Sequence, residues 1–137
     1  MGTGQGQADH MGFHFLLANR ERIRRTVTDR PDGVETVTES DDPAVAEAIR
    51  IHVRAMQARL LEGRPVHARD PLFAAIFQNA AAITMRIEDT ARGVRVTETS
   101  TDPWVAALIR AHAEVVNRFV ANGFDEMHRD HAVPGRP

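Results

Sequence analysis

A chain of 137 residues with 42% apolar and 26% charged residues has the composition of a soluble globular protein and the length of about one domain. The net charge of −2, without a basic stripe interleaved with aromatic residues, argues against a nucleic-acid partner. No apolar run approaches the roughly 18 residues of a membrane span. Without cysteine, the chain has no disulfide, zinc finger, iron–sulfur site or thiol nucleophile.

The amino-terminal part of the chain predicts a lead-in, a short helix and a hairpin. Residues 1–9 are rich in glycine and low in hydrophobicity, which is typical of a disordered segment. A helix is predicted from about 11 to 19. Alternating residues over 23–28, a turn signal at Asp32-Gly33 and a second β-rich run over 34–39 then predict a β-hairpin.

A long helix follows the hairpin. Asp42 is its predicted N-cap, Pro43 fits the first helical position, and Gly63 is a predicted C-cap glycine. Apolar residues recur at helical spacing and are expected to point inward; this stripe consists of Val45, Ile49, His52, Met56 and Leu60.

The same plan is then repeated at an offset of 60 residues. Eight of the thirteen positions in 40–52 are identical to those in 100–112, and 17 of the 58 pairs between 13–70 and 73–130 are identical. This is an internal duplication. The second long helix has the corresponding apolar stripe, which consists of Val105, Ile109, His112, Val116 and Val120.

Each half therefore predicts helix–hairpin–helix. A two-stranded hairpin cannot bury its apolar face alone, and alternation of polar and apolar residues indicates a sheet covered on one side. We expect an α+β fold in which two tandem pseudo-twofold α-β-β-α repeats form a four-stranded antiparallel sheet with helices on one face. The expected single domain covers 10–131, with repeat one at 10–69 and repeat two at 70–131, a disordered lead-in at 1–9 and a loose tail at 132–137.

Histidines are the main chemical signal in this sequence. His10 and His14 are four residues apart, as are His52 and Met56, and imidazole combined with thioether favours copper. We predict a non-catalytic histidine-based metal-binding protein, with copper as first choice and haem or zinc as alternatives. The repeated pair His52 and His112 is the expected cofactor-binding pair. The full set of predicted metal ligands is His10, His14, His52, Met56, His112, His128 and His131.

A structural interpretation competes with this one. A single histidine on an apolar helix face is often a core residue, and a duplication copies structural residues as well as functional ones. Met56 is replaced by Val116 in the second copy, which favours a packing role for the methionine. The alternative function is a small-molecule or protein interaction module with structural histidines, and a homo-oligomer is compatible with either.

Enzymatic activity is the least favoured hypothesis. The chain has no Gly-x-Ser-x-Gly, no phosphate-binding glycine loop and no His-Glu-x-x-His. A histidine pair is able to perform acid–base chemistry, but no nucleophile accompanies it. Arg50 and Arg110 also repeat, and we expect each to be solvated beside a carboxylate, with an anion site as the alternative.

All 17 basic residues are arginine, which indicates a GC-rich coding bias and hence a bacterial source. The segments 33–43, 70–73 and 93–100 resemble a group of small bacterial proteins, often exported, with the same duplicated plan. The resemblance covers most of 9–131 and implies an exported setting but no mechanism. We expect a periplasmic or exported location if a signal peptide has been removed, and a cytoplasmic one otherwise.

Overall fold

The computed structural model describes residues 12–63 and 69–136. Helix α1 covers 12–18 of the described residues, and the predicted disordered lead-in at 1–9 lies outside them. The first half continues with β1, Arg24–Arg30, β2, Gly33–Glu39, and α2, Pro43–Glu62. The second half contains α3, Pro71–Gln78, β3, Thr84–Thr90, β4, Gly93–Thr99, and α4, Pro103–Asn122, followed by a 3-10 segment, Gly123–His128.

The long helices begin and end as the sequence predicts. The Asp42 carboxylate accepts hydrogen bonds from the backbone N–H groups of Ala44 and Val45, and Asp102 caps α4 in the same way. These bonds satisfy N–H groups that have no partner inside the helix. Gly63 follows α2 with a φ of 66°, in the left-handed region that glycine adopts at little cost.

The four strands form one antiparallel sheet in the order β1-β2-β4-β3. Its centre is the pairing of β2 with β4, in which Thr36 lies opposite Val96. These two residues occupy equivalent positions in the two halves, so the pseudo-twofold axis passes between them. The predicted fold class, with α-β-β-α repeats sharing one four-stranded antiparallel sheet, is confirmed.

Each long helix packs on the hairpin of the other half. Val45 and Ile49 of α2 form a buried cluster with Val94 and Val96 of β4. In the same way, Val105, Ile109 and Ala113 of α4 pack on Val34 of β2. The two halves are therefore interlocked, because each long helix packs mainly on the hairpin of the other half.

The two repeated arginines, Arg50 and Arg110, also connect each long helix to the hairpin of the other half. Arg50 of α2 donates hydrogen bonds to the backbone oxygens of Thr90, Ala91 and Gly93 in the second hairpin. Arg110 of α4 donates to the carbonyl oxygens of residues 30 and 31 in the first hairpin. The expected carboxylate partner holds in part, since Arg50 also pairs with Glu47 at 3.3 Å, but the main partners are carbonyl groups.

A further apolar cluster joins the short helices to α4, and the carboxyl-terminal segment packs beside it. The cluster contains Leu72, Leu108 and Phe119. The Trp104 indole N–H donates to the carbonyl oxygen of Pro134 at 2.8 Å, and the guanidinium of Arg136 lies 4.0 Å from the Trp104 ring centroid. Pro134 and Arg136, which belong to the predicted loose tail at 132–137, therefore both contact Trp104.

Within the described ranges, no helix is long and apolar enough to span a membrane.

Candidate functional site

A cavity of about 480 Å³ lies between the sheet and the helices. Side chains from all four helices and all four strands contribute to its wall. Most of this wall is apolar, and its larger members are Phe13, Met56, Phe73, Phe77, Met85 and Phe119. The polar side chains that face the same cavity are Arg25, Thr36, Thr38, His52, Arg59, Glu98 and His112.

Arg25 is held in the cavity wall by three hydrogen bonds. Its guanidinium donates hydrogen bonds to Asn117 Oδ1 at 2.8 Å, to Thr38 Oγ1 at 3.0 Å and to the Ala113 carbonyl oxygen at 3.4 Å. Burial lowers the pKa of Arg25 to about 10, opposed by the charges of Glu98 and Glu114. The side chain therefore stays charged at neutral pH, although in the described part of the chain no carboxylate lies within ion-pair distance of it.

Glu98 faces the cavity from β4. Burial raises the pKa of its carboxyl group, and the positive charge of Arg25 opposes this change. Among the described residues, no side chain or backbone group is hydrogen-bonded to the Glu98 carboxyl group. Glu98 is half-buried in the cavity wall, so its carboxyl group is placed to contact a molecule in the cavity.

The two repeated histidines line this cavity and pack against equivalent phenylalanines. The His52 ring is stacked on Phe13 with 5.6 Å between ring centroids, and the His112 ring lies edge-on to Phe73 at 5.1 Å. Burial, followed by the charge of Arg25, lowers the pKa of His112 to about 4. His112 is therefore a neutral imidazole at pH 7, and over the described ranges its ring has no hydrogen-bond partner.

A second polar cluster lies at the carboxyl-terminal end of the fold, centred on His131. Its ring Nδ1 is hydrogen-bonded to Asp70 Oδ2, and its Nε2 to Glu126 Oε2 at 2.6 Å. Asn122 Nδ2 donates to the other Glu126 oxygen at 2.7 Å. All three members of the triad are buried, with 0%, 1% and 4% of Asp70, Glu126 and His131 exposed.

In the triad of Asp70, Glu126 and His131, the two carboxyl groups and the imidazole ring change each other's pKa. Burial alone would lower the pKa of His131, but its hydrogen bonds with Asp70 and Glu126, together with their charges, raise it above its usual value. The hydrogen bond from His131 correspondingly lowers the pKa of Glu126. Both ring nitrogens of His131 are hydrogen-bonded to carboxyl groups, so neither is free to bind a metal in this arrangement.

The predicted metal ligands are thus divided among different places. His52, Met56 and His112 line the cavity, whereas His14 packs against Phe124 at 5.0 Å between ring centroids. His128 is exposed, and His131 belongs to the triad. His10 lies outside the described residues, within which no group of three or more His, Cys, Asp or Glu side chains is suited to a metal ion.

The two copies place different polar groups at equivalent positions of the cavity wall. Arg25 corresponds to Met85, and Thr38 corresponds to Glu98. The backbone is pseudo-symmetric, but the charged groups of the cavity wall, which are Arg25, Arg59 and Glu98, are not. Comparison of the chain with protein families, curated proteins and solved structures finds no match, so arguments about function depend on the cavity itself.

Proposed function

We propose that this protein binds a small molecule in the cavity between the sheet and the helices. The observation that carries the proposal is a cavity of about 480 Å³ with an apolar wall and a few inward-facing polar side chains. Ligand sites in proteins occupy roughly 300–1,000 Å³ and combine these same features. This proposal corresponds to the alternative function predicted from the sequence, an interaction module, with a small molecule as the partner.

The unpaired polar groups support a ligand rather than a packing defect. The Glu98 carboxyl group and the His112 ring are without hydrogen-bond partners in the described part of the chain. Both side chains are half-buried in the cavity wall, and a polar group withdrawn from water without a partner costs free energy. A bound molecule that supplies the missing partners offsets this cost, which would favour the occupied state.

The test is a fluorescence titration with N-phenyl-1-naphthylamine, a neutral apolar probe that brightens when it leaves water. We expect saturable binding to the wild-type protein. Val116→Phe places a larger side chain in the cavity wall and should weaken binding at least tenfold. Met56→Trp should do the same from the equivalent position of the first copy.

The control is Ile51→Phe, because Ile51 is 63% exposed and lies outside the cavity wall. It adds a phenyl ring on the outer face of α2 and should leave the affinity unchanged. Circular dichroism and thermal melting establish that each variant is folded. No saturable binding to the wild-type protein, or equal binding by all folded variants, would contradict the proposal.

Metal or haem binding is the second candidate, and one observation favours it. His52, Met56 and His112 line the same cavity, and the His112 ring is neutral at pH 7 because burial lowers its pKa. Neutral imidazole is the form that binds metals, and paired histidines also serve as axial ligands of haem iron.

The corresponding experiment is elemental analysis of protein purified without an affinity tag, followed by titration with Cu²⁺, Zn²⁺ and haemin. Uptake that is lost in both His52→Ala and His112→Ala would support a metal centre in the cavity. A wild-type protein that takes up none of the three would rule this candidate out.

A further inference from the structure

We infer that the ligand of this cavity is an apolar molecule with a carboxylate-type anionic group, which binds at Arg25. This inference rests on the proposed function and names the chemical class of the ligand. The observation behind it is the Arg25 guanidinium group, which faces a largely apolar cavity. Among the described residues, no carboxylate lies within ion-pair distance of this group.

The hydrogen bonds of Arg25 leave room for an anion. Its three protein acceptors are an amide oxygen, a hydroxyl oxygen and a backbone carbonyl oxygen, from Asn117, Thr38 and Ala113. All three are neutral, so they satisfy donors without neutralising the charge. Five N–H donors are present on a guanidinium group, and the two that remain suit the paired oxygens of a carboxylate.

The same contacts hold Arg25 in place before any ligand arrives. Its Nε–H is fixed by Asn117 of α4, and one terminal nitrogen is fixed by Thr38 of the neighbouring strand. A side chain that is already ordered loses little conformational entropy when it binds an anion. The arginine is therefore a preorganised binding group, in contrast to the exposed arginines on the opposite face of the sheet.

The neighbouring groups permit a negative charge at this position. His112 precedes Ala113, whose carbonyl oxygen contacts Arg25, and its neutral ring offers one further N–H donor. Glu98 faces the same cavity; burial raises the pKa of its carboxyl group, and the positive charge of Arg25 opposes this change. Glu114 is exposed on α4, where water screens its charge.

The second copy provides a natural reference for the test. Met85 occupies the position equivalent to Arg25 and also lines the cavity, and Gln57 donates to the Met85 carbonyl oxygen at 3.0 Å. Arg25→Met therefore installs the side chain that this backbone position already accommodates in the other half. Arg24→Met is the matched control, since Arg24 lies next to it on β1 and pairs with the exposed Asp41.

The experiment is displacement of N-phenyl-1-naphthylamine by decanoate and by 1-decanol at neutral pH. In the wild-type protein we expect decanoate to displace the probe at a roughly tenfold to hundredfold lower concentration than decanol, which is the range for a hydrogen bond to a charged group. Arg25→Met should abolish this preference while it keeps the affinity for decanol. Arg24→Met should behave as wild type.

The outcomes separate this inference from the proposed function. If the probe does not bind at all, the proposed function fails; if the probe binds and both competitors displace it equally, only the anionic class is overturned. Stronger displacement by decyltrimethylammonium than by decanoate would assign the charge recognition to Glu98 and would also overturn the inference. If Arg25→Met does not fold, Arg25→Lys is the second variant, because lysine keeps the positive charge but not the paired donors of arginine. We expect Arg25→Lys to show a smaller preference for decanoate over decanol than the wild-type protein. An unchanged preference would contradict the inference.

Discussion

Asp70 and His131 are joined by two hydrogen bonds across 61 residues of sequence. The ring Nδ1 of His131 bonds to one oxygen of the Asp70 carboxylate, and its backbone N–H donates to the other at 3.3 Å. The second oxygen also caps α3 by accepting from the Leu72 N–H at 2.9 Å. One buried side chain thus ties the start of the second repeat to the end of the domain.

Asp70→Asn is expected to destabilise the fold by about 3 kcal/mol, because removing one charge from a buried pair leaves the other uncompensated. Asparagine preserves the capping oxygen, so the loss reports the interaction with His131. Denaturant unfolding measures the difference. The control is Asp130→Asn, at the equivalent position of the repeat but exposed, which should change the free energy of unfolding by less than about 0.5 kcal/mol. Equal effects of the two substitutions would contradict the role of the triad.

The triad and the cavity histidine should give the protein opposite pH dependences. Because the pKa of His131 is raised in the folded state, its stabilisation is complete below its unfolded pKa of about 6.5 and is lost as pH rises through the raised value. His131→Asn should therefore flatten the loss of stability on the alkaline side. Unfolding free energies between pH 6 and 9 check this, and an unchanged slope in the variant would count against it.

His112 is expected to affect the free energy of unfolding below neutral pH. Its folded pKa is about 4, so between about pH 6.5 and 4 the unfolded chain binds a proton that the folded chain does not. Stability should fall as pH decreases through this range. His112→Phe replaces the ring with an apolar one, so the variant should lose less stability than wild type between pH 7 and 4.5. A parallel loss in both proteins would show that His112 does not titrate as we describe.

The inner strands depend on two glycines. A Cβ atom at Gly33 would overlap the backbone carbonyl oxygen of Glu98, and one at Gly93 would overlap that of Thr38. Since backbone atoms cannot move aside without breaking the β2–β4 pairing, Gly33→Ala should destabilise the protein by more than about 3 kcal/mol. Gly135→Ala is the control, as nothing lies within 4 Å of an added Cβ there. A melting temperature for Gly33→Ala close to that of wild type would argue against the tight pairing.

Because each long helix packs mainly on the hairpin of the other half, we expect that neither half folds alone as a monomer. A fragment of residues 1–66 loses α4, the helix that covers most of the apolar face of its hairpin. We expect fragments 1–66 and 67–137 to be largely unfolded separately at micromolar concentration and to regain helical circular dichroism when mixed. A cooperatively folded monomer of either fragment would refute the interlocked arrangement.

The sequence predicts the fold well because its signals are local. Asp-Pro at each helix start, glycine at the ends, and an alternating pattern around each turn all depend on neighbouring residues. The duplication adds that both halves share one plan. Periodicity identifies which face of α2 is buried, but it does not identify the hairpin that this face covers, so the interlocked packing emerges only from the structure.

The candidate site is predicted less completely. His52, Met56 and His112 lie on apolar stripes and do line one cavity. Arg25 was not among the predicted site residues, although a charge between Ile23 and Val27 on the apolar face of a strand is a signal of a buried polar site. The triad of His131 had no such signal, because its members come from three segments whose proximity depends on the tertiary fold.

The measurement that tests the central claim most directly is a ¹H–¹⁵N NMR titration of the wild-type protein with N-phenyl-1-naphthylamine. If a small molecule enters the cavity, saturable shift changes should concentrate at the amides of Val96, Glu98 and Ala113, which belong to the cavity wall. The amides of the exposed residues Ile51 and Leu61 should stay in place. Absence of saturable changes, or changes confined to exposed surfaces, would contradict the claim that this cavity is a ligand site.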